Sequence, residues 1–281
     1  MHLATRISAF LCLTLLAART DAAENRPQPA TARTKADLHS FVNWDFRHRR
    51  KLKGWRATET AIQRTLEQWF PGRPTHTLVE NGNAGALRAF LGALPARADC
   101  DLSVVYLASH QSPAGEWDFV QKNLESVSAI AAGANVPRHP ARIVIVDACY
   151  AAALQREPAW ARALQSPTVF AALADEETYE LDFSTPQPLD LRRRYPAAAA
   201  WLDQHMGKSW DGKLSFLGLV WVQTFITSHS APADQAGWAA FLRRCGQTAE
   251  EFRRNADSRL ASQITFSSPA GTRVPVRDAR K

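Results

Sequence analysis

Two short apolar runs constrain the fold of this chain more than any other feature of its sequence. Residues 102–109 (LSVVYLAS) and residues 141–147 (ARIVIVD) are rich in β-branched side chains and almost continuously apolar. A strand with one buried face alternates apolar and polar residues, whereas a strand covered on both faces of a parallel sheet is apolar throughout. The two runs therefore predict strands buried on both faces of a parallel sheet.

The rest of the chain alternates between strand-like and helix-like segments. Further strands are predicted at residues 38–43, 75–80 and 168–174. The segments with helical character are residues 55–70, 84–94, 120–132, 151–164, 215–228 and 237–261. Such alternation predicts an α/β fold with a mostly parallel central sheet flanked by helices on both faces. Residues 182–213 are rich in proline and arginine, and they predict a long insertion with one short helix near 197–203.

The beginning of the chain has the pattern of a secretory signal. Arg6 precedes an apolar run at residues 7–18, and small residues follow it. This pattern predicts a signal peptide over residues 1–23, cleaved near Ala22 or Ala23, although an uncleaved anchor is the alternative. The apolar run is short for a membrane span. We therefore expect a secreted or periplasmic protein with no stable membrane insertion after signal removal.

Composition assigns the remaining segments and excludes several partners. A polar linker is predicted at residues 24–36, one domain at 37–266 and a flexible tail at 267–281. The net charge of +7 is spread along the chain rather than gathered into a dense basic stripe, so nucleic acid is not an expected partner. The histidines lie at no zinc-ligand spacing, and no glycine-rich phosphate loop is present. We expect no metal and no cofactor, and the sequence leaves the oligomeric state open.

The cysteine count points to one reactive thiol. Removal of the signal leaves three cysteines, Cys100, Cys149 and Cys245. In an oxidising compartment an odd number indicates a pair and a leftover thiol. The sequence alone does not decide whether Cys100 and Cys245 pair.

A histidine and a cysteine follow the two apolar runs directly. His110 comes after the first run, and Cys149 lies two residues beyond the second. Because ligands bind beyond the carboxyl ends of parallel strands, these side chains are expected at one edge of the sheet. A thiolate is a nucleophile, and an imidazolium can protonate a leaving amine. The pattern predicts a catalytic His110–Cys149 dyad, whereas a buried structural cysteine is the alternative.

The order of these motifs resembles the caspase, metacaspase and legumain group of cysteine peptidases. Ser-His at the end of one strand and Asp-Ala-Cys (147–149) at the end of the next carry the resemblance. Residues 41–70, 171–180, 215–226 and 262–266 resemble other parts of the group's outline. The likeness spans roughly residues 36–266 and implies a three-layer caspase-like fold with a cysteine endopeptidase that acts on a peptide or protein substrate.

The resemblance also assigns roles to individual residues. It implies an oxyanion hole from the backbone N–H groups of Gln111 and Cys149, although relatives have glycine at the first position. It implies that Asp147, with Asp175 as a second acid, selects basic substrate side chains; the alternative is that both cap strand ends. A helix beginning after Cys149 and a neighbouring imidazolium are expected to lower the pKa of the thiol.

Two functions from different classes remain open. The first is an active endopeptidase that cleaves after basic residues. The second is a catalytically weak or inactive pseudo-peptidase that binds peptides or a partner, since Gln111, Tyr150 and Ala151 replace small residues of the relatives. An esterase or transferase that uses the same thiol is a third, but no Gly-x-Ser-x-Gly elbow supports it.

Overall fold

The structure is a computed structural model of the chain. It describes residues 35–255 except for 47–51, 72–73, 97–100, 120–123, 174–176, 179, 185–189, 209, 229 and 233, and it also describes the strand segments 265–267 and 273–274. The predicted signal peptide (1–23) and almost all of the predicted linker lie outside the described residues. The domain boundaries therefore stay predictions.

The described strands form one large sheet and two small ones. The strands are β1 (Ala36–Val42), β2 (Thr75–Glu80), β3 (Leu102–Ala108), β4 (Glu116–Asp118), β5 (Leu124–Ser126), β6 (Arg142–Asp147), β7 (Thr168–Phe170), β8 (Glu180–Asp182), β9 (Lys213–Ser215), β10 (Thr265–Ser267) and β11 (Arg273–Val274). The large sheet has the order β11-β10-β7-β6-β3-β1-β2. Strands β7, β6, β3, β1 and β2 are parallel, while β10 and β11 each run antiparallel to their neighbour. The small sheets are the hairpin β4–β5 and the pair β8–β9.

The two apolar runs form the centre of the sheet, as their composition predicted. Every residue of β3 and of β6 is buried. The two strands pair in parallel, with Ala108 opposite Asp147 at their carboxyl ends. The edge strand β2 is partly exposed instead, because it has a neighbour on one side only.

Helices cover both faces of the sheet, which confirms the predicted α/β architecture. The helices are α1 (Lys53–Trp69), α2 (Ala84–Gly92), α3 (Val127–Ala132), α4 (Pro158–Leu164), α5 (Leu191–Arg194), α6 (Pro196–His205), α7 (Phe216–Thr227) and α8 (Gln235–Asn255). One apolar core packs α1, α6, α7 and α8 against one face. A second core packs α2, α3 and α4 against the opposite face.

Two of the predicted helices differ from the structure. Of the helix expected over residues 120–132, residues 120–123 lie outside the described residues, residues 124–126 form β5, and only α3 is helical. A tight turn precedes β4: Gly115 has φ of 77° and donates its N–H to the carbonyl of Ser112, which reverses the chain between Gln111 and β4. The helix expected over 151–164 is a 3₁₀ helix at Ala151–Arg156 followed by α4. Pro158 restarts the helix, since proline fits a first helical turn but leaves the preceding residue extended.

The long insertion is more ordered than its composition indicated. The region between β8 and β9 contains two helices, α5 and α6, where one was expected. Arg192 joins the region together: its Nε donates to the carbonyl of Phe183, and its guanidinium makes two hydrogen bonds with Asp203 at 2.6 and 3.0 Å. These contacts hold α5 against both the end of β8 and α6.

The state of Cys245 and the composition of the helices are relevant to the predictions about cysteine pairing and membrane insertion. Cys245, on α8, is buried, and its thiol is free within the part of the chain that the structure describes. Cys100 itself lies outside the described residues. Across the part of the chain that the structure describes, no helix combines the length and apolar character that a membrane span requires.

Candidate active site

The ends of β3 and β6 bring the predicted dyad to one pocket. His110 and Cys149 each lie two residues beyond the paired residues Ala108 and Asp147, so the chain carries both past the same edge of the sheet. Both side chains line a pocket of about 590 Å³. The segment after β7 reaches the same pocket through Glu177 and Thr178. The pocket therefore lies beyond the carboxyl ends of the parallel strands, where ligands are expected to bind in such a sheet.

Aromatic rings fix the position of the His110 imidazole. Its ring centre lies 4.5 Å from that of Phe46 and 5.4 Å from that of Trp55. Phe46 and Trp55 are both buried, so the imidazole packs against the aromatic end of the larger core. Edge and tilted ring contacts of this kind stabilise one ring orientation.

The thiol of Cys149 is half-buried, and its pKa is raised to about 11. Burial is the main cause, and the carboxylates of Glu177 and Asp147 raise the pKa further. A hydrogen bond from Sγ to the carbonyl of Thr178, at 3.8 Å, is too weak to offset these effects. The expectation of a lowered thiol pKa was therefore wrong. One of its two premises, the helix start, fails as well, because a left-handed residue and a 3₁₀ helix follow the cysteine where an α-helix was expected.

Tyr150 adopts a conformation that is unusual for its residue type. Its φ is 53° and its ψ is 23°, in the left-handed region that L-residues with side chains seldom occupy. Its backbone carbonyl accepts a hydrogen bond of 2.7 Å from Nε2 of Gln111. Its hydroxyl donates to Glu177 at 2.9 Å. The residue after the predicted nucleophile is thus tied to a loop on either side of the pocket.

Gln111 connects the histidine loop to the hairpin β4–β5 as well. Its Oε1 accepts a hydrogen bond of 3.0 Å from the indole Nε1 of Trp117, which is fully buried. The backbone of Gln111 forms an isolated antiparallel bridge with Trp117. The bridge is bracketed by hydrogen bonds at His110 and Ser112. In such a pair the intervening residue directs its own N–H away from the partner strand.

Asp147 lies behind the pocket wall and does not line it. Its side chain is fully buried and accepts hydrogen bonds from Tyr106 at 2.8 Å and from Ser215 at 2.5 Å. Burial raises its pKa to about 6, although hydrogen bonds from Ser215, Tyr106 and Trp55 act in the opposite direction. Ser215 and Trp55 form the pocket surface in front of this carboxyl.

Two further acids at the pocket were not singled out from the sequence. Glu177 and Glu180 both line it, and Glu180 lies opposite Ser215 in the pairing of β8 with β9. One carboxylate oxygen of Glu180 accepts from the backbone N–H of Gly54 at 2.7 Å, and the other lies 3.4 Å from Nζ of Lys213. Only pairing between strands that lie far apart in sequence places Glu180 here, so no local motif could have identified it.

One other predicted site residue is not tested by the structure. Asp175, the predicted second specificity acid, lies outside the described residues. Among the residues that are described, no group of three His, Cys, Asp or Glu side chains is arranged to hold a metal ion.

Comparison with known proteins supports the fold. No protein-family model matches the sequence, and no curated protein matches it either. The crystal structure of caspase-1 from Spodoptera frugiperda is similar, with a TM-score of 0.52 over 86% of this chain and 91% of that chain. The sequence identity is 12%, so the similarity concerns the fold alone. The chain therefore has a caspase-like fold, as the order of its motifs implied.

Proposed function

We propose that this chain is a caspase-like cysteine endopeptidase with Cys149 as nucleophile and His110 as its acid–base partner. The observation that carries the proposal is that both side chains line one pocket at the carboxyl edge of the parallel sheet. The caspase-like fold supports it, because it is the fold of a group of cysteine peptidases.

The proposed reaction follows from the groups around the pocket. Cys149 transfers its proton to His110, and the thiolate attacks the scissile carbonyl. Backbone N–H groups of Gln111 and Cys149 stabilise the oxyanion; the bridge with Trp117 supports this role, because it leaves the N–H of Gln111 directed away from the hairpin. His110 returns the proton to the leaving amine. Water then hydrolyses the thioester and regenerates the thiol.

We propose that the enzyme prefers basic residues at the cleavage site. Two carboxylates, Glu177 and Glu180, line the pocket, and the buried Asp147 lies behind Ser215. Among the described residues that line the pocket there is no lysine or arginine. A guanidinium or ammonium group is attracted by such a charge distribution, and an acidic side chain is repelled by it. In this arrangement Asp147 acts through Ser215 and through its field rather than by direct contact.

The test is hydrolysis of fluorogenic peptides with arginine, lysine or aspartate at the cleavage site. We expect turnover of the basic peptides by the wild type and none by Cys149→Ala. Cys245→Ala is the matched control, because it removes a buried thiol far along the chain on α8. Loss of turnover in Cys245→Ala but not in Cys149→Ala would contradict the proposal, and so would equal turnover of arginyl and aspartyl peptides.

A second candidate function is a pseudo-peptidase that binds peptides without cleaving them. The raised pKa of Cys149 favours it, because a thiol with a pKa of about 11 is almost entirely protonated at neutral pH. Calorimetry with an arginyl peptide separates the two. Binding by a wild type that leaves the peptide intact supports the second function, whereas cleavage supports the first.

A further inference from the structure

The side chain of Gln111 joins two loops that meet at the pocket. Its Oε1 accepts from Trp117 at 3.0 Å, and its Nε2 donates to the carbonyl of Tyr150 at 2.7 Å. The residue is 5% exposed, so water does not compete strongly for either bond. An amide is suited to this position, since it offers one acceptor and one donor at the same time.

The bond to Tyr150 acts on a strained backbone. Tyr150 is left-handed, with φ of 53°, which disfavours a side chain larger than hydrogen. Its carbonyl accepts a second hydrogen bond, from the N–H of Ala153 at 2.9 Å. Without the Gln111 donor, fewer contacts oppose a return of Tyr150 to an ordinary conformation. Such a return would rotate the peptide group that links Tyr150 to Cys149.

We propose that Gln111 is a positioning residue. Its hydrogen bond to the carbonyl of Tyr150 holds residues 149–150, here called the nucleophile turn, in the closed conformation that keeps the thiol of Cys149 half-buried. The expected effect on catalysis rests on the proposed function, whereas the expected effect on the exposure of the thiol does not. The closed turn keeps the thiol half-buried, with Sγ against the carbonyl of Thr178. Loosening it exposes the thiol to water and misaligns it for attack on a peptide bond.

The variant Gln111→Glu separates the two bonds of the side chain. A glutamate still accepts from the indole of Trp117, but its ionised carboxylate repels the carbonyl of Tyr150. When protonated, the same side chain donates a hydrogen bond to that carbonyl again. The variant therefore loses the bond to Tyr150 at high pH and regains it at low pH, without a change of side-chain size. Gln111→Met is the companion variant, since it lacks both bonds at every pH.

Two readouts are compared with the wild type at the same pH, because other titratable or charged side chains lie around the pocket: His110, Cys149, Asp147, Glu177 and Glu180. The first readout is kcat for an arginyl peptide. The second is the rate at which 2,2′-dipyridyl disulfide modifies Cys149, read by peptide mass mapping; the thiol forms a mixed disulfide and pyridine-2-thione leaves. Protection of the buried Cys245 in the same sample verifies that each variant is folded.

At about pH 8 we expect Gln111→Glu to lower kcat about tenfold and to speed modification of Cys149 about tenfold. Burial at this position should raise the pKa of the introduced carboxyl above its ordinary value of about 4.3, so at about pH 5 both ratios should return towards one in Gln111→Glu and stay displaced in Gln111→Met. Modification of Cys149 at the wild-type rate by both variants at both pH values would overturn the inference. If the wild type hydrolyses no peptide, the proposed function fails, but the modification rates still decide the role of Gln111.

Discussion

Burial determines the protonation of the two titratable side chains at the carboxyl end of β6. It raises the pKa of Asp147 to about 6 and that of Cys149 to about 11. Both groups are therefore harder to ionise than their counterparts in water. The resting protein holds a protonated thiol, so attack requires a proton acceptor at the moment of reaction. His110, which lines the same pocket, is the proposed acceptor.

The raised pKa of Asp147 predicts a specific dependence of stability on pH. Its ordinary value is 3.8, so between pH 3.8 and about 6 the folded protein binds this proton more tightly than the unfolded chain does. Stability from this group is therefore greatest in acid and falls as the pH rises through about 6. A shift of this size corresponds to about 3 kcal/mol of unfolding free energy.

Asp147→Asn removes this contribution and keeps the shape of the side chain. We expect the unfolding free energy of the variant, relative to the wild type, to rise by about 2.4 kcal/mol between about pH 4 and about pH 7.5, because the unfolded carboxyl is already partly ionised at pH 4. Urea denaturation at both pH values measures it. A difference between the two proteins that does not change with pH would show that Asp147 is not shifted in the folded state.

The position of the pocket could be predicted from the sequence, whereas the pKa of the Cys149 thiol could not. His110 and Cys149 were identifiable because each follows a buried apolar strand, and parallel strands end at a common edge. The pKa of Cys149 was not predictable, because it depends first on burial and then on the carbonyl of Thr178 and the carboxylate of Glu177, all of which only the folded chain provides. The hydrogen bonds of Gln111 with Trp117 and Tyr150 were not predictable for the same reason, because they also depend on contacts made only in the folded chain.

The beginning of α7 is the element that links the pocket to the larger core. Ser215 caps this helix by accepting from the N–H of Gly218 at 3.1 Å, and its hydroxyl donates to Asp147. Thr58 of α1 bonds to the same hydroxyl at 2.8 Å. One serine thus serves as helix cap, pocket surface and partner of a buried acid, so a shift of α7 should alter all three.

Gly218 allows α7 to approach α1 closely. A Cβ at this position would contact Oγ1 of Thr58 and would lie 2.8 Å from Cγ of Leu214. We expect Gly218→Ala to lower the unfolding free energy by about 1–3 kcal/mol, since a well-packed core resists an added methyl group. Chemical denaturation measures the change.

Gly133, the residue after α3, is the control for this substitution. Its φ is −85°, and the nearest atom to a new Cβ is 3.5 Å away. Gly133→Ala should change the unfolding free energy by no more than about 0.5 kcal/mol. Equal effects of the two substitutions would contradict the close approach of α1 and α7.

Elements with strong local signals were predicted well, and those set by distant contacts were not. β2 has the predicted bounds, and β3 and β6 are within one residue of theirs. For β3 and β6 the reason is that continuous apolar runs leave few alternatives. β5 was mistaken for part of a helix, since a three-residue strand carries too few residues for a period of two to be visible. The strands β8 and β9 pair although more than thirty residues separate the paired positions, and no local sequence pattern predicts this pairing.

In the whole molecule, two separate apolar cores cover the two faces of the sheet, and the pocket lies at the carboxyl edge between them. The larger core contains α1, α7 and α8, and the smaller contains α2, α3 and α4. The catalytic proposal uses residues from both sides of this division, because Trp55 belongs to the first core and Trp117 to the second. The pocket is therefore held by the whole fold rather than by one loop.

Export is the prediction that concerns the full chain. The basic, apolar and small-residue order of residues 1–23 predicts cleavage during secretion. We expect the mature protein, expressed with its own beginning, to start near Ala23 or Glu24 and to appear outside the cytoplasm. N-terminal sequencing after cell fractionation measures this. Recovery of the uncleaved chain from the cytosol would contradict export.

The central claim is that Cys149 is a nucleophile that His110 activates in a pocket for basic side chains. The most direct measurement is labelling by an arginyl acyloxymethyl ketone, followed by mass mapping of the modified peptide. The account predicts labelling of Cys149 and not of Cys245, slower labelling by the aspartyl analogue, and a loss of roughly a hundredfold in rate in His110→Ala. Absence of label on Cys149 in the folded wild type, or an unchanged rate in His110→Ala, would contradict it.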